Sequence, residues 1–170
     1  LSRITEDLLR LTRLDSNVLE RPVVVDALPV LEQVMRMMSL VAQEKGTELT
    51  YRAEGTCTML ATRDEIHQII YNLTDNAVKY TPTGGQIHVQ VEAWEMYLKI
   101  DIADTGIGIP EQHQGTIFKR FYREDAVHDV EGIGIGLYLA REIISLQGGY
   151  IRVASEVGKG SVFSVFLLRK

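Results

Sequence analysis

Asn72, Asn76 and Lys79 stand at i, i+4 and i+7 in the stretch IIYNLTDNAVKY, so a helix there carries all three on one side. At about 100° per residue they border the apolar stripe of Ile66, Ile69, Ile70, Leu73, Ala77 and Tyr80 instead of opposing it. Asparagine is a poor helix former and a half-buried amide needs partners, so two of them beside a lysine ask for a ligand. The amide oxygen of Asn76 suits Mg2+, a hard cation that takes oxygen ligands, and Lys79 suits a phosphate as a point charge.

Three further constellations point the same way. Leu98, Ile100 and Ile102 share one face of a strand by the period of two, and Asp104 continues that face. A carboxylate aimed at the apolar side needs a donor, either its own turn or the amine of a ligand. The glycines of the following TGIGIP, Gly106 and Gly108, let the backbone turn and come close to what lies there. GIGIG, with Gly132, Gly134 and Gly136, precedes a helix, where free N–H groups make a phosphate cradle. It lacks the lysine of a P-loop and the parallel βαβ unit of a dinucleotide fingerprint, and linker glycines are the bland alternative. In FKRFYR, Phe118 and Phe121 can anchor a lid, while Arg120 and Arg123 can grip a phosphate bidentately. A solvated charged loop is the usual explanation of such a run. Taken together, the four suit a purine nucleoside triphosphate with Mg2+.

The elements that must position these residues read as follows. LSRITEDLLRLTRLDS spaces Leu1, Ile4, Leu8 and Leu11 as a two-heptad helical seam that asks for a partner helix, and residues 17–21 read as a linker. Pro22 opens a short strand, VVVD. Asp26 caps a helix over about 27–45, which Gly46 ends. TELTYRAE and TMLA read as strands, and Thr62 or Asp64 starts the asparagine helix, which stops before TPTGG. QIHVQVEA and YLKIDIAD form a hairpin across Trp94–Met96. Residues 105–131, 27 in all with little periodicity, read either as a functional lid or as a stretch whose elements the pattern does not reveal. A last helix stops at Gly148, and YIRV and SVFSVFLL finish as strands around GKGS. The predicted fold class is α+β, a two-layer sandwich with a mixed sheet covered by helices on one face.

The bulk numbers set limits. With 170 residues there is room for one domain and an appendage, and the net charge of −5 argues against nucleic acid as a partner. Cys57 is the single cysteine, so neither a disulfide framework nor a cysteine metal site is expected, and a cytoplasmic location fits. No apolar run approaches a membrane span, and the start at Leu1 inside a helical pattern suggests a piece of a longer protein.

These motifs, in this order, resemble the catalytic ATP-binding domain of bacterial sensor histidine kinases, within the Bergerat ATPase superfamily. NLTDNAVKYT is similar to the asparagine box, DTGIGIP to the first glycine box, IFKRFYR to the phenylalanine box and GIGIGL to the second glycine box. GKGSVF resembles the last glycine box, with Ser161 where threonine is frequent. The resemblance covers residues 22–170, and residues 1–16 look like the second helix of the dimerisation hairpin. It implies a Bergerat fold with an ATP lid, and ATP and Mg2+ as cofactors. Asp104 would accept from the adenine amino group, with Ser161 near the same network and Gly106, Gly108, Phe118 and Phe121 in the flanking boxes. Asn76 would be the principal Mg2+ ligand with Asn72 beside it, and Lys79 and Tyr80 would touch nucleotide. Gly132, Gly134, Gly136 and Leu137 would line the triphosphate, and Arg120 or Arg123 would approach the γ-phosphate. Asn72, Lys79, Arg120 and Arg123 are thus the catalytic expectations.

The implied partners are the protein's own dimerisation hairpin, as a homodimer, and the receiver domain of a response regulator. The whole protein would be membrane-anchored, with this domain on the cytoplasmic side. One departure stands out: the family's phosphoacceptor is a histidine on an upstream helix, whereas His67, His88, His113 and His128 read as surface or edge residues. The chain is therefore expected to bind ATP without phosphorylating itself. Hydrolytic clamps of the same superfamily carry a glutamate base where Asn72 stands, and an amide is a far weaker base. Anti-sigma serine kinases share that glutamate and lack the leading heptads. A non-catalytic nucleotide-sensing module is the remaining alternative, against which all the boxes are filled.

Overall fold

The computed structural model describes residues 8, 22–119 and 135–169. The elements are β1 (Val23–Asp26), α1 (Ala27–Lys45), β2 (Glu48–Glu54), β3 (Thr58–Ala61), α2 (Arg63–Lys79), β4 (Gln86–Ala93), β5 (Tyr97–Asp104), α3 (Gly136–Gln147), β6 (Tyr150–Glu156) and β7 (Gly160–Leu168), with a 3-10 turn at Glu111–His113. The segment 1–16, the linker 17–21 and residues 120–134 lie outside the described residues apart from Leu8.

Local chemistry sets the helix ends. Asp26 Oδ1 accepts from Leu28 N at 3.0 Å and starts α1, which closes on Gly46 with φ 82°. Of the two candidate starts for the asparagine helix, Thr62 is the cap: its hydroxyl accepts from Glu65 N and donates to the Glu65 carboxylate, both at 3.1 Å.

β1 and β3 form a small antiparallel ribbon, while the main sheet runs β2-β4-β5-β7-β6. β2 pairs parallel with β4 and the other neighbours are antiparallel, so the sheet is mixed. Alternation along β4 and β5 sends Ile87, Val89, Val91, Leu98, Ile100 and Ile102 into the core. There they meet Val34, Met35 and Met38 of α1, Ile66, Ile69, Ile70 and Leu73 of α2, and Ala140 and Ile144 of α3 in one continuous cluster. The fold is a two-layer α+β sandwich with helices over one face of the sheet.

Two features depart from the sequence reading. β6 runs three residues past YIRV, to Glu156, because Ser155 pairs with Ser161 and Glu156 with Gly160 of β7. The first part of the expected lid, residues 105–119, is docked on the body, with Ile117 and Phe118 buried in the core.

Candidate functional site

The polar face of α2 is deeper than its spacing suggested. Asn72 is 5% exposed, and its Nδ2 has no hydrogen-bond partner among the described residues. The Asn76 side chain, half-buried, is likewise unpaired among them. Lys79 does not stand alone: its Nζ lies 3.1 Å from Oδ2 of buried Asp75, one turn earlier. Sequence reasoning passed over Asp75, although an Asp–Lys pair at i, i+4 is a legible signal. The end of α2 is held from outside by Lys45, the last residue of α1, whose Nζ donates to the carbonyls of Val78 and Lys79, both at 2.6 Å. Burial lowers the pKa of that amine.

At the end of β5, the two oxygens of Asp104 differ. Oδ1 accepts from Gly106 N at 2.9 Å and from Ser161 N at 3.2 Å, whereas the second oxygen accepts from no described residue. One oxygen caps the turn, as the bland alternative holds, and the other is left for a donor. Burial pushes the Asp104 carboxyl above its ordinary range, opposed in part by the Gly106 and Ser161 backbone bonds.

What comes close to the glycines after Asp104 is the protein's own backbone. A Cβ on Gly106 would lie 2.3 Å from the Tyr80 carbonyl oxygen, which accepts from Ile107 N at 3.2 Å. Gly108, at φ 75°, would put a Cβ 2.2 Å from the Glu156 oxygen. The loop is thereby clasped between the end of α2 and the β6–β7 turn, where Gly158 N donates to Ile107 O at 2.9 Å. Ser161 reaches Asp104 through its backbone; its hydroxyl bonds instead to Ser155 Oγ at 2.7 Å. Ser155 Oγ in turn accepts from Ile109 N at 2.7 Å. Ser155 was missed because it lies beyond the end of the expected strand.

Gly136 opens α3 beside Asn72, its would-be Cβ 3.9 Å from Asn72 Cγ. No side chain caps α3 at Ile135 and no acidic residue occupies its first turn. A 12-residue helix whose first N–H groups meet no side-chain cap among the described residues presents the positive end of its dipole there, a place for an anion. Leu137 is half-buried against the core. Phe118, read as an anchor, is buried in the core, edge-on to Phe163 at 6.2 Å and under the Arg141 guanidinium at 5.5 Å. Arg120, Arg123, Phe121, Gly132 and Gly134 lie outside the described residues.

Among the described residues, the arrangement joins two amides without partners, a carboxylate with one oxygen that accepts nothing and a helix start without a side-chain cap. Among the described residues no group of three His, Cys, Asp or Glu side chains forms a metal cluster. Mg2+ needs none, since it takes one or two protein oxygens together with phosphate oxygens and water. Asn76, whose side chain is unpaired among the described residues, fits that pattern, while the unpaired atom of Asn72 is its Nδ2, a donor. Among the described residues no helix is long and apolar enough to cross a membrane.

Comparison with known proteins gives a consistent answer. Residues 61–170 match the family model described as histidine kinase-, DNA gyrase B-, and HSP90-like ATPase. Over 137 residues the chain is 38% identical to the adaptive-response sensory kinase SasA of Synechococcus elongatus, covering 79% of this chain and 35% of that one. Over 169 residues it is 33% identical to the sensor protein kinase PmrB of Pseudomonas aeruginosa, covering 98% of this chain and 35% of that one. The chain thus spans about a third of the length of these curated relatives. Among solved structures, full-length ShkA in complex with AMPPNP superimposes with a TM-score of 0.84 at 29% identity, over 98% of this chain and 35% of that one.

Proposed function

The chain belongs to the histidine kinase-, DNA gyrase B-, and HSP90-like ATPase family, and on that premise we propose that it is the ATP-binding kinase domain of a two-component sensor. In this reading it donates the γ-phosphoryl of ATP to a histidine on a dimerisation hairpin, for relay to an aspartate of a response regulator. Relatives named as sensor kinases support the assignment.

The observation that carries it is the divided carboxylate of Asp104, one oxygen held by Gly106 and Ser161 and the other without a partner among the described residues. A half-buried acceptor of this kind recognises an exocyclic amine, as adenine offers. Asn76 and Asn72 would hold Mg2+, which when bound supplies charge neutralisation along the triphosphate. The first turn of α3, with Gly136 and Leu137, would meet the phosphates, and Tyr80 and Lys79 would flank them. Asp75 would hold the Lys79 ammonium in place until a phosphate competes for it. Arg120, Arg123, Phe121, Gly132 and Gly134 enter on their motifs alone. Residues 1–16 are assigned to the hairpin and 22–170 to the catalytic domain. The whole protein is a homodimer anchored in the cell membrane, with this domain in the cytoplasm.

Hydrolysis is the weaker reading. The glutamate base of hydrolytic relatives is replaced by Asn72, and the neighbouring carboxylate, Asp75, is engaged by Lys79. Calorimetric titration with a non-hydrolysable ATP analogue, with and without Mg2+ and with GTP as control, tests the proposal. Saturable, adenine-selective binding that responds to Mg2+ is expected. Absence of binding, or equal binding of GTP, overturns it.

A further inference from the structure

Gln68 lies one turn before Asn72 on α2 and is 3% exposed, yet its side chain makes no hydrogen bond to any described residue. Asn72, 5% exposed, has its Nδ2 buried without a partner among the described residues. A buried donor without an acceptor, one turn after a buried glutamine, is a costly arrangement, since buried polar groups are nearly always satisfied. The cost has a use if the pair is completed when the site fills.

We propose that Gln68 is a positioning residue whose amide oxygen accepts from Asn72 Nδ2 and so turns the Asn72 oxygen toward the magnesium–triphosphate; this rests on the function proposed above. An amide has one acceptor and one donor end. For Asn72 to offer oxygen to a metal ion or its water, its NH2 needs an acceptor elsewhere. On a helix that acceptor must come from positions three or four residues away. Those positions are Gln68, Ile69, Asp75 and Asn76. Ile69 has no polar atom, Asp75 is engaged by Lys79, and Asn76 faces the site. Helical side chains lean toward the N-terminus, which tips Asn72 over the turn that bears Gln68. Gln–Asn pairs at this spacing are a known helical contact, and groups that orient a metal ligand from behind are a general feature of metal sites.

The test uses the full chain and a non-hydrolysable ATP analogue as probe. Gln68→Met keeps the shape and removes the acceptor. Magnesium-dependent affinity is expected to fall about tenfold, as when an outer group orienting a metal ligand is lost, while metal-free affinity stays within about twofold. The thermal midpoint of the ligand-free variant should equal or exceed the parent's, because an apolar side chain takes the place of a buried polar one that makes no hydrogen bond to a described residue; a merely structural glutamine would lower it. In an Asn72→Ala background, Gln68→Met should change nothing further. Unchanged magnesium-dependent binding in Gln68→Met, an equal loss with and without the metal, or additive effects in the double variant would overturn the inference. If the parent itself fails to bind, the functional reading falls and takes this inference with it; if the parent binds and Gln68→Met matches it, only the inference falls.

Discussion

Asp104 sets function against stability within one side chain. Its Oδ1 is needed by the fold, since it holds Gly106 N and Ser161 N, while its second oxygen has no such use. Asp104→Asn keeps the first role, because an amide oxygen also accepts from the two backbone donors, and replaces the second with an NH2. Loss of a charged hydrogen bond should cost ~1.5–3 kcal/mol of nucleotide affinity, so titration should find binding at least tenfold weaker, and affinity within twofold of the parent would remove Asp104 from the site. The same substitution should not lower the thermal midpoint at neutral pH. Burial raises the carboxyl's pKa, so the native chain keeps that proton to higher pH than the unfolded chain does. Between the ordinary value of 3.8 and the raised one, the group's contribution to stability therefore falls as pH rises. A parallel pH series of melting curves should show the parent losing that increment and Asp104→Asn not. Asn76→Ala, in turn, should abolish the Mg2+ response of triphosphate binding while leaving metal-free binding in place; an unchanged response would move the metal elsewhere. Both residues were legible because a period of two or of 3.6 says where a polar group must point. Lys45 and Ser155 were not, because each acts on an element distant in sequence, across 33 and 46 residues respectively.

Between residue and fold, the site depends on how the ends of elements are clasped. α2, β5 and the β6–β7 turn each end at the DTGIGIP loop, and the loop touches all three by backbone. Gly108→Ala would place a Cβ within 2.2 Å of the Glu156 oxygen, at φ 75°. A left-handed conformation alone costs an L-residue ~1–2 kcal/mol, so the clash should bring the loss above that and lower the thermal midpoint by several degrees. Nucleotide affinity should fall with it, since the loop carries Asp104's cap. Lys45→Met removes the two bonds that satisfy the last carbonyls of α2. A partly buried charged bond lost at a helix C-terminus should cost about 1–2 kcal/mol, read as a lower thermal midpoint. Element positions were largely readable, because caps at Asp26, Thr62 and Gly148 and strict alternation in β4 and β5 left little choice. That residues 105–119 dock on the body was not readable, for a physical reason. That stretch has one short turn and no period, so its burial comes from Ile117 and Phe118 meeting a core that only tertiary packing creates.

On the scale of the whole molecule, the candidate site gathers residues from α2, the end of β5, the start of α3 and the β6–β7 turn, and the described histidines are held on elements of their own. His88 is on the exposed face of β4, the face away from the helices, with its Nδ1 2.7 Å from Thr50 Oγ1. His67 is more than a turn before Asn72 and stacks on Tyr71, ring centres 5.9 Å apart. His113 sits in the 3-10 turn after the clasped loop. In-line phosphoryl transfer requires the acceptor nitrogen within near-attack distance of the γ-phosphate, about 3–3.5 Å, and held there. β4 and α2, which carry His88 and His67, cannot swing toward it without breaking core contacts. Incubation with magnesium and ATP should therefore leave this chain without acid-labile phosphate, even where calorimetry finds ATP bound. Adding a hairpin that carries an acceptor histidine should restore transfer, with the label on the added helix. Phosphohistidine on the isolated chain would mean that His128, outside the described residues, or one of these three is the acceptor, and the division of labour between hairpin and catalytic domain would have to be abandoned.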